Sequence, residues 1–441
     1  MVRKVVIVGA GPSGVLLAHY LLRRGEHYKI DIYERRSDPR IVEFSKSRTF
    51  PLTLGERGLN ALRQIEGLEE AVKAISVPIR GAMSHLKNGK TQLRPRQKPL
   101  FALDRTNLAT ALLEKLTEKY DSRRLNVHFN AKCTQVDFAA NTVSFQKVTE
   151  AASEDVAIEL SVEYDFLIGA DGARSVVREN FLGTEGFECA QRYVSSDYKS
   201  LFLPQPDTRL GMELKSGYIH GWRRNDGMVV LLLHQLDGAM SGVIHFPRDE
   251  NQIVGLSTKQ EVLEFFHKNF PEVGKLMPEA EAEAFLKRPI SMVLTVRCNR
   301  YHHGDRVLLI GDAAHAVSPA IGQGCNAALE DVVVLDNLLD EYSDDWAKAI
   351  EQFTIRRQPD AHALTELSDN AFPSSTNLFI EFMLREALAK LMHKVFPKHF
   401  LPSLFQLISE TTVPYSEILN LHQGWIAKVK KSNEKSLTNT V

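Results

Sequence analysis

The chain opens on a run of hydrophobic residues. Lys4 to Val8 reads as a strand buried on both faces, a glycine turn follows, and from Val15 to Arg24 apolar residues recur at helical spacing until Gly25 stops them. Lys29 to Glu34 then alternates as a second strand, completing a βαβ unit. Phe166 to Gly169 and Val307 to Ile310 are short apolar runs that each enter a glycine/aspartate turn. Both are assigned to the same parallel sheet, because ligand groups gather at the carboxyl ends of such strands. Between them, strand-like runs from Ser200 to Pro247, separated by Asn-Asp-Gly and Leu-Asp-Gly turns, predict an antiparallel sheet inserted into the first domain. After Gly324 the spacing is helical, with a long helix over Asn326 to Tyr342 and further helices through Lys430. The stretch Leu378 to Phe396 is amphipathic and is expected to pack on the protein's own core.

At 441 residues the chain exceeds one ordinary core, so two or three domains are expected. Lysine plus arginine number 54 against 55 acidic residues, which leaves no global field for nucleic acid and points to a small-molecule partner. The local basic cluster Lys90, Arg94, Arg96 and Lys98 reads as a solvated loop. Cys133, Cys189, Cys298 and Cys325 form neither a CxxC pair nor a disulfide framework, which fits a reducing cytoplasm. The opening MVRKVVIVGAG runs straight into a strand and turn, so no secretory leader is expected. Apolar runs such as Met228 to Leu233 fall far short of the roughly 18 residues a spanning helix requires, and no transmembrane anchor is expected.

Gly9-Ala10-Gly11-Pro12-Ser13-Gly14 has the GxGxxG spacing. The first glycine permits the tight turn, the second lets backbone approach a pyrophosphate, and the third lets helix and strand pack closely. The helix start then offers free N–H groups and a positive dipole end to the phosphates. Glu34, with Arg35 beside it, closes the second strand 20 residues after Gly14, where a carboxylate can bind ribose hydroxyls. Together these residues predict a dinucleotide site without separating FAD from NAD.

Two longer motifs go further. Asp165 to Ser175 (DFLIGADGARS) and Leu309 to His315 (LIGDAAH), followed by Pro319, Gly322, Gln323, Gly324 and Asn326, resemble the group A flavoprotein monooxygenases. The resemblance implies an α/β fold: an FAD-binding Rossmann-like (GR2-type) domain over 1–75, 99–182 and 288–345, an inserted antiparallel-sheet substrate domain of 76–98 and 183–287, and a C-terminal helical region from 346 to 441. It further implies that Asp312, after Gly311, binds the ribityl chain, and that Asp171-Gly172 serves both FAD and NAD(P)H. Arg105, in a DRxxL-like helix start, would contact FAD, and Arg48 is a further candidate. The physical reading agrees: Gly322 and Gly324 permit close backbone approach, and a helix beginning near Cys325 would aim its positive end at the flavin N1–C2 edge. His315 reads as a packing and hydrogen-bonding residue rather than a base, and His302-His303 lacks metal-ligand spacing. No side chain is assigned as catalytic, because in the implied chemistry NAD(P)H reduces FAD, O2 forms a C4a-hydroperoxide, and the cofactor performs the hard steps.

Within that family the stretches Ser47 to Leu54, Pro78 to Met83, Gly311 to Asp331, Pro359 to Ser368 and Val413 to Glu417 are most similar to the branch that hydroxylates kynurenine. Where that branch carries an arginine for the substrate carboxylate this chain has Ala82, which removes a bidentate anchor. Its pocket asparagine falls at Ala371, with Asn370 adjacent, and its pocket tyrosine at Tyr415. Tyr415 and Arg80 are therefore the substrate candidates. The expected function is hydroxylation of a small aromatic substrate with O2 and NAD(P)H. The rivals are kynurenine hydroxylation proper, with an arginine such as Arg80 as substitute anchor, and a non-catalytic flavin- or partner-binding protein. A homodimer is compatible with the resemblance. A flavin halogenase is set aside for want of a GxWxWxI segment.

Overall fold

The computed structural model describes residues 2–42, 51–148, 159–206, 214–249, 252–373 and 375–438. Arg48 lies outside the described residues.

The first sheet has six strands in the order β16 (His302–His303), β17 (Val307–Leu309), β10 (Phe166–Gly169), β1 (Arg3–Val8), β2 (Tyr28–Tyr33) and β6 (Leu125–His128). All neighbours are parallel except β16 and β17. Parallel strands covered on both faces must be apolar throughout. Accordingly Val5, Val6 and Ile7 are fully buried, as are Leu167 and Ile168. Helices α1 (Pro12–Arg24), α4 (Arg105–Lys119), α10 (Gly324–Glu341) and α11 (Trp346–Asp369) share one apolar core with this sheet. Proline at the first position starts α1, and Asp104 caps α4 by accepting from the Thr106 N–H at 2.8 Å. A three-stranded antiparallel sheet of β7 (Ala131–Asp137), β8 (Thr142–Lys147) and β9 (Glu159–Glu163) connects β6 to β10.

The second sheet has eight strands: β15 (Ser291–Cys298), β11 (Cys189–Leu203), β14 (Met240–Pro247), β13 (Val229–His234), β12 (Tyr218–Arg223), β4 (Val77–His85), β5 (Thr91–Asp104) and β3 (Pro51–Leu54). The run expected over Ser200 to Pro247 is its antiparallel centre, although β12 continues into β4 in parallel. One face, with Leu201, Trp222, Val230, Ile244 and Phe246, packs on α6 (Lys259–Asn269), α7 (Pro271–Leu276) and α8 (Glu279–Lys287). The other face turns toward α12 (Thr376–Val395) and α13 (Leu404–Glu410), and the chain ends in α14 (Tyr415–Leu421) and α15 (Gln423–Thr438). There the Arg223 guanidinium sits 5.4 Å from the Phe379 ring of α12, and Arg96 donates to Ser409 Oγ of α13. Short helices α2 (Glu56–Arg63), α3 (Leu68–Ala74), α5 (Val176–Phe181) and α9 (Asp312–His315) complete the chain.

Two expectations are corrected. Arg94 and Arg96 do not sit in a solvated loop: they lie within β5, and the hairpin with β4 draws both guanidinium groups into half-buried positions. The stretch Leu378 to Phe396 forms a helix, but its main apolar stripe faces outward. Ile380, Leu384, Leu388, Leu391 and Val395 are 54–67% exposed, while Phe382 turns inward and is buried. Helical spacing identifies a stripe without saying which stripe meets the core. Among the described residues no helix is long and apolar enough to cross a membrane.

The outward stripe makes a stability prediction. Replacing Leu384 and Leu388 together by Gln is expected to change unfolding free energy by no more than about 0.5 kcal/mol per site. Phe382→Ala is expected to cost about 3–5 kcal/mol. Urea unfolding of the three proteins checks this, and the reverse ranking would mean the stripe is covered by the protein itself.

Candidate active site

Because β1, β10 and β17 are neighbours, the turns that follow them converge at one edge of the first sheet. Gly9 follows β1 with φ 108°, and a Cβ there would stand 2.5 Å from the Ala170 carbonyl oxygen after β10. A Cβ on Gly14 would stand 2.3 Å from the Gly9 oxygen, so helix and strand meet only because both residues are glycine. At Gly11 an added Cβ would meet no atom within 4 Å, which leaves open room in front of α1. No side chain caps α1, so its first N–H groups face that room, the arrangement suited to a pyrophosphate. Pro12 and Ser13 are buried in the first turn. Glu34 follows β2 and accepts from the Ala10 N–H at 3.0 Å and the Arg36 N–H at 2.9 Å, while Arg35 is exposed beside it.

The second turn holds Asp171 and Gly172, the latter with φ 84°. Asp171 Oδ2 accepts from the Val176 N–H at 2.7 Å, whereas Oδ1 is buried with no partner. Burial pushes this carboxyl above the usual carboxylate range, against hydrogen bonds from Ser175, Val176 and Val177. Arg178, itself buried, donates to the Ala173 carbonyl at 2.8 Å and the Ala313 carbonyl at 2.9 Å. One guanidinium thereby ties the second turn to the third.

The third turn begins at Gly311, with φ 59°, and Asp312 starts α9. Pro319 opens a 3-10 turn that ends at Gly322, φ 65°, and Gly324 begins α10 without a side-chain cap or an acid in its first turn. Burial pushes the Cys325 thiol up to about 12, with Arg105 opposing and Asp312 reinforcing the rise. Those three residues therefore share one neighbourhood at the start of α10. Asn326 is fully buried: its amide donates to the Thr53 and Gly322 carbonyls, and its Oδ1 accepts from the Gly55 N–H at 2.8 Å. Its side chain is spent on holding the loop. The uncapped α10 start, the open room at Gly11 and the orphaned Asp171 Oδ1 fit an extended dinucleotide laid across the three turns.

A buried charge network that the sequence reading missed supports these turns from behind. Asp331 on α10 accepts from the Gly311 N–H at 2.7 Å, meets His315 Nε2 at 2.7 Å and accepts from Arg357 Nε at 2.6 Å. Arg357 also reaches Glu330 at 2.8 Å, Asp360 at 2.7 Å and the Ala327 carbonyl at 2.9 Å. Arg57 joins Glu330 at 2.5 Å and donates to the Val413 carbonyl. Burial pushes the Asp331 carboxyl up, but the His315 and Arg357 charges and the donated hydrogen bonds outweigh it and leave it below the usual range.

The substrate candidates are not brought together. Tyr415 is fully buried, donates to Gln323 Oε1 at 3.0 Å and stacks on Arg57 at 3.8 Å, so the structure makes it part of the charge network. Arg80 is exposed on β4. Asn370 caps the end of α11, its amide donating to the Glu366 carbonyl at 3.0 Å, and Ala371 is buried. Ala82 lies on the sheet face turned toward α12 and α13.

The family model described as an FAD binding domain matches residues 3–368. The chain is 31% identical over 437 residues to kynurenine 3-monooxygenase of Sus scrofa, covering 96% of this chain and 87% of that protein. It is 30% identical over 446 residues to kynurenine 3-monooxygenase of Flavobacterium johnsoniae, covering 99% and 96%. The structure of 2-methyl-3-hydroxypyridine-5-carboxylic acid oxygenase superposes with a TM-score of 0.68 at 20% identity, covering 84% of this chain and 91% of that one.

Two predictions follow from the charge network. Arg357→Met removes a partner from Glu330, Asp331 and Asp360 at once, leaving Asp331 and Asp360 without an arginine, and is expected to cost about 3–5 kcal/mol in urea unfolding. Because the Asp331 carboxyl sits lower in the folded than in the unfolded state, its stabilisation is complete well above the unfolded value, about 3.9. It is lost as the pH falls through the folded value. Asp331→Asn should flatten the acid limb of a stability–pH curve below about pH 5, and an unchanged limb would remove Asp331 from the account.

Proposed function

The chain belongs to the family of FAD-binding flavoprotein monooxygenases, and from that premise we propose that it hydroxylates a small aromatic substrate, consuming NAD(P)H and O2, as a relative of kynurenine 3-monooxygenase whose own substrate is recognised differently. The observation that carries this reading is the convergence of three glycine-bearing strand ends on the uncapped start of α10. Bound FAD, reduced by NAD(P)H, supplies activated oxygen at this site. The residues supply position and field. Gly9, Gly11, Pro12, Ser13 and Gly14 would lay the pyrophosphate against α1, and Glu34 with Arg35 would meet the adenosine ribose. Gly311 and Asp312 would hold the ribityl chain, Arg105 would lie along it, and Asp171 with Gly172 would present the orphaned Oδ1 to the nucleotide side. Pro319, Gly322 and Gly324 would bring backbone close to the ring system. The N–H groups of Cys325 and Asn326 would then face its developing negative charge at the positive end of α10.

The four cysteines, few for the length and without a disulfide framework in their spacing, support placing this reaction in the cytoplasm. Ala82 in place of a cation supports a substrate held otherwise than kynurenine is by its dedicated enzymes. The test is oxidation of NADH and NADPH by the purified yellow protein, alone and with a panel of aromatic amines, phenols and L-kynurenine, with mass spectrometry of the products. Stimulation by one compound together with a product heavier by one oxygen atom is the expected result. A protein that binds flavin but shows no stimulated oxidation with any ring would be a flavin-binding module and would sink the hydroxylase reading.

A further inference from the structure

The face of the second sheet opposite α6–α8 carries the Arg94 guanidinium, which is in no ion pair among the described residues. In the register of the sheet Arg94 of β5 stands directly across from Ala82 of β4, and Ala82 across from Ile219 of β12. The next row runs Gln92, Ser84, Gly221 and Leu231. Residues paired directly across strands project from the same face, so Arg94 shares a face with Ala82, Ile219 and Gly221. The other face is committed to the core it forms with α6–α8. Two contacts roof the Arg94 face: Arg223 beneath Phe379 of α12 at one end, and Arg96 against Ser409 of α13 at the other. Between them the floor carries one methyl group at Ala82 and no side chain at Gly221, beside which the Leu231 side chain packs.

The two arginines of β5 are not in the same condition. Arg96 lies 3.6 Å from Glu410 Oε1, which answers its charge. Nε is buried without a partner in both, but Arg94 has only a single long hydrogen bond besides, from Nη2 to Gln92 Oε1 at 3.4 Å. Among the described residues no carboxylate lies within ion-pair distance of it. A guanidinium cannot shed its proton to escape such a position, so an uncompensated arginine calls for an anion. Burial alone pulls its proton affinity below the ordinary arginine range, with no charged neighbour countering it.

We propose that Arg94 anchors a carboxylate of the aromatic substrate, which lies over Ala82 and Gly221 beneath α12 and α13. The planar guanidinium takes a carboxylate in two parallel hydrogen bonds and so fixes the ring's orientation as well as its charge. Ser84 and Gln92, on the adjoining row, stand beside that site as neutral polar groups. The inference rests on the hydroxylase reading for the word substrate, but the anion site itself can be tested without turnover.

The experiment is titration of the flavin absorbance of the yellow holoprotein with two matched pairs: L-kynurenine and its decarboxylated counterpart kynuramine, and anthranilate and aniline. In the wild type at least one carboxylate should bind about 30-fold or more tightly than its partner, and Arg94→Met should abolish that preference while leaving the amine of the pair unchanged. Arg94→Lys should restore part of it, because the charge returns without the two-pronged geometry. Equal binding within both pairs, no binding of either carboxylate, or equal weakening of both members of a pair by Arg94→Met would each overturn the proposal. Carboxylate preference that depends on Arg94, without stimulated NAD(P)H oxidation by any ring, would keep the anion site and reject the hydroxylase reading. Stimulated oxidation with no carboxylate preference would do the reverse.

Discussion

Two guanidinium groups and three carboxylates are taken out of water behind the start of α10, and the geometry of everything in front of them depends on that exchange. Arg57 and Arg357 share Glu330, and Arg357 goes on to Asp331 and Asp360. Removing charges from water costs several kcal/mol each, so such a cluster is tolerated only when nearly every donor and acceptor is used. What it gives here is position. Asp331 fixes Gly311 N–H, hence the turn after β17. Arg357 fixes the Ala327 carbonyl, hence the first turn of α10, and Arg57 fixes the Val413 carbonyl, hence the segment leading into α14. Three parts of the chain that never pair as strands are locked by side-chain charge instead.

The flavin side of the molecule was largely legible in the sequence because its constraints are local. A positive-φ glycine, an acid at a strand end and an apolar run of four to six residues each leave a mark at a fixed spacing, and Gly9, Gly311 and Gly322 adopt the conformations that only glycine takes readily. The substrate side was not legible, for a physical reason. Its recognition depends on which residues oppose one another across strands, and Arg94 and Ala82 are partners only once the β4–β5 register is set, with a bulge between Ile79 and Gly81 shifting it. Arg94 and Arg96 therefore looked like a charged loop. Tyr415 was found by its neighbours in sequence, but its hydroxyl and ring are both consumed by the network. For α12 the apolar residues were visible and their direction was not.

The two sheets divide the labour of the site. The first presents backbone: glycine turns, helix starts and N–H groups, which can be rebuilt with almost any side chains around them. The second presents side chains on a rigid surface, where exchanging one residue for its cross-strand neighbour moves a charge by one strand spacing, roughly 5 Å, while leaving the fold unchanged. A chain can therefore keep the cofactor machinery of its relatives and alter what is placed before it. The roles of Ala82 and Arg94 belong to that second, more easily altered layer.

The order of strands in the first sheet also sets a timetable for synthesis. Val5 pairs with Phe166, and Leu167 with Val307, so β1 cannot gain its neighbour β10 until the intervening chain has been made, nor β10 its neighbour β17 until the second sheet has been made as well. The charges that lock the third turn arrive later still, on α11. A nascent chain on the ribosome thus carries the first glycine turn long before it can hold a nucleotide there. Until then it exposes the unpaired edge of β1, a state that invites chaperones and aggregation. Loading with flavin is on this account an event that follows translation, and a product truncated before α11 would keep the dinucleotide fingerprint while lacking the means to use it.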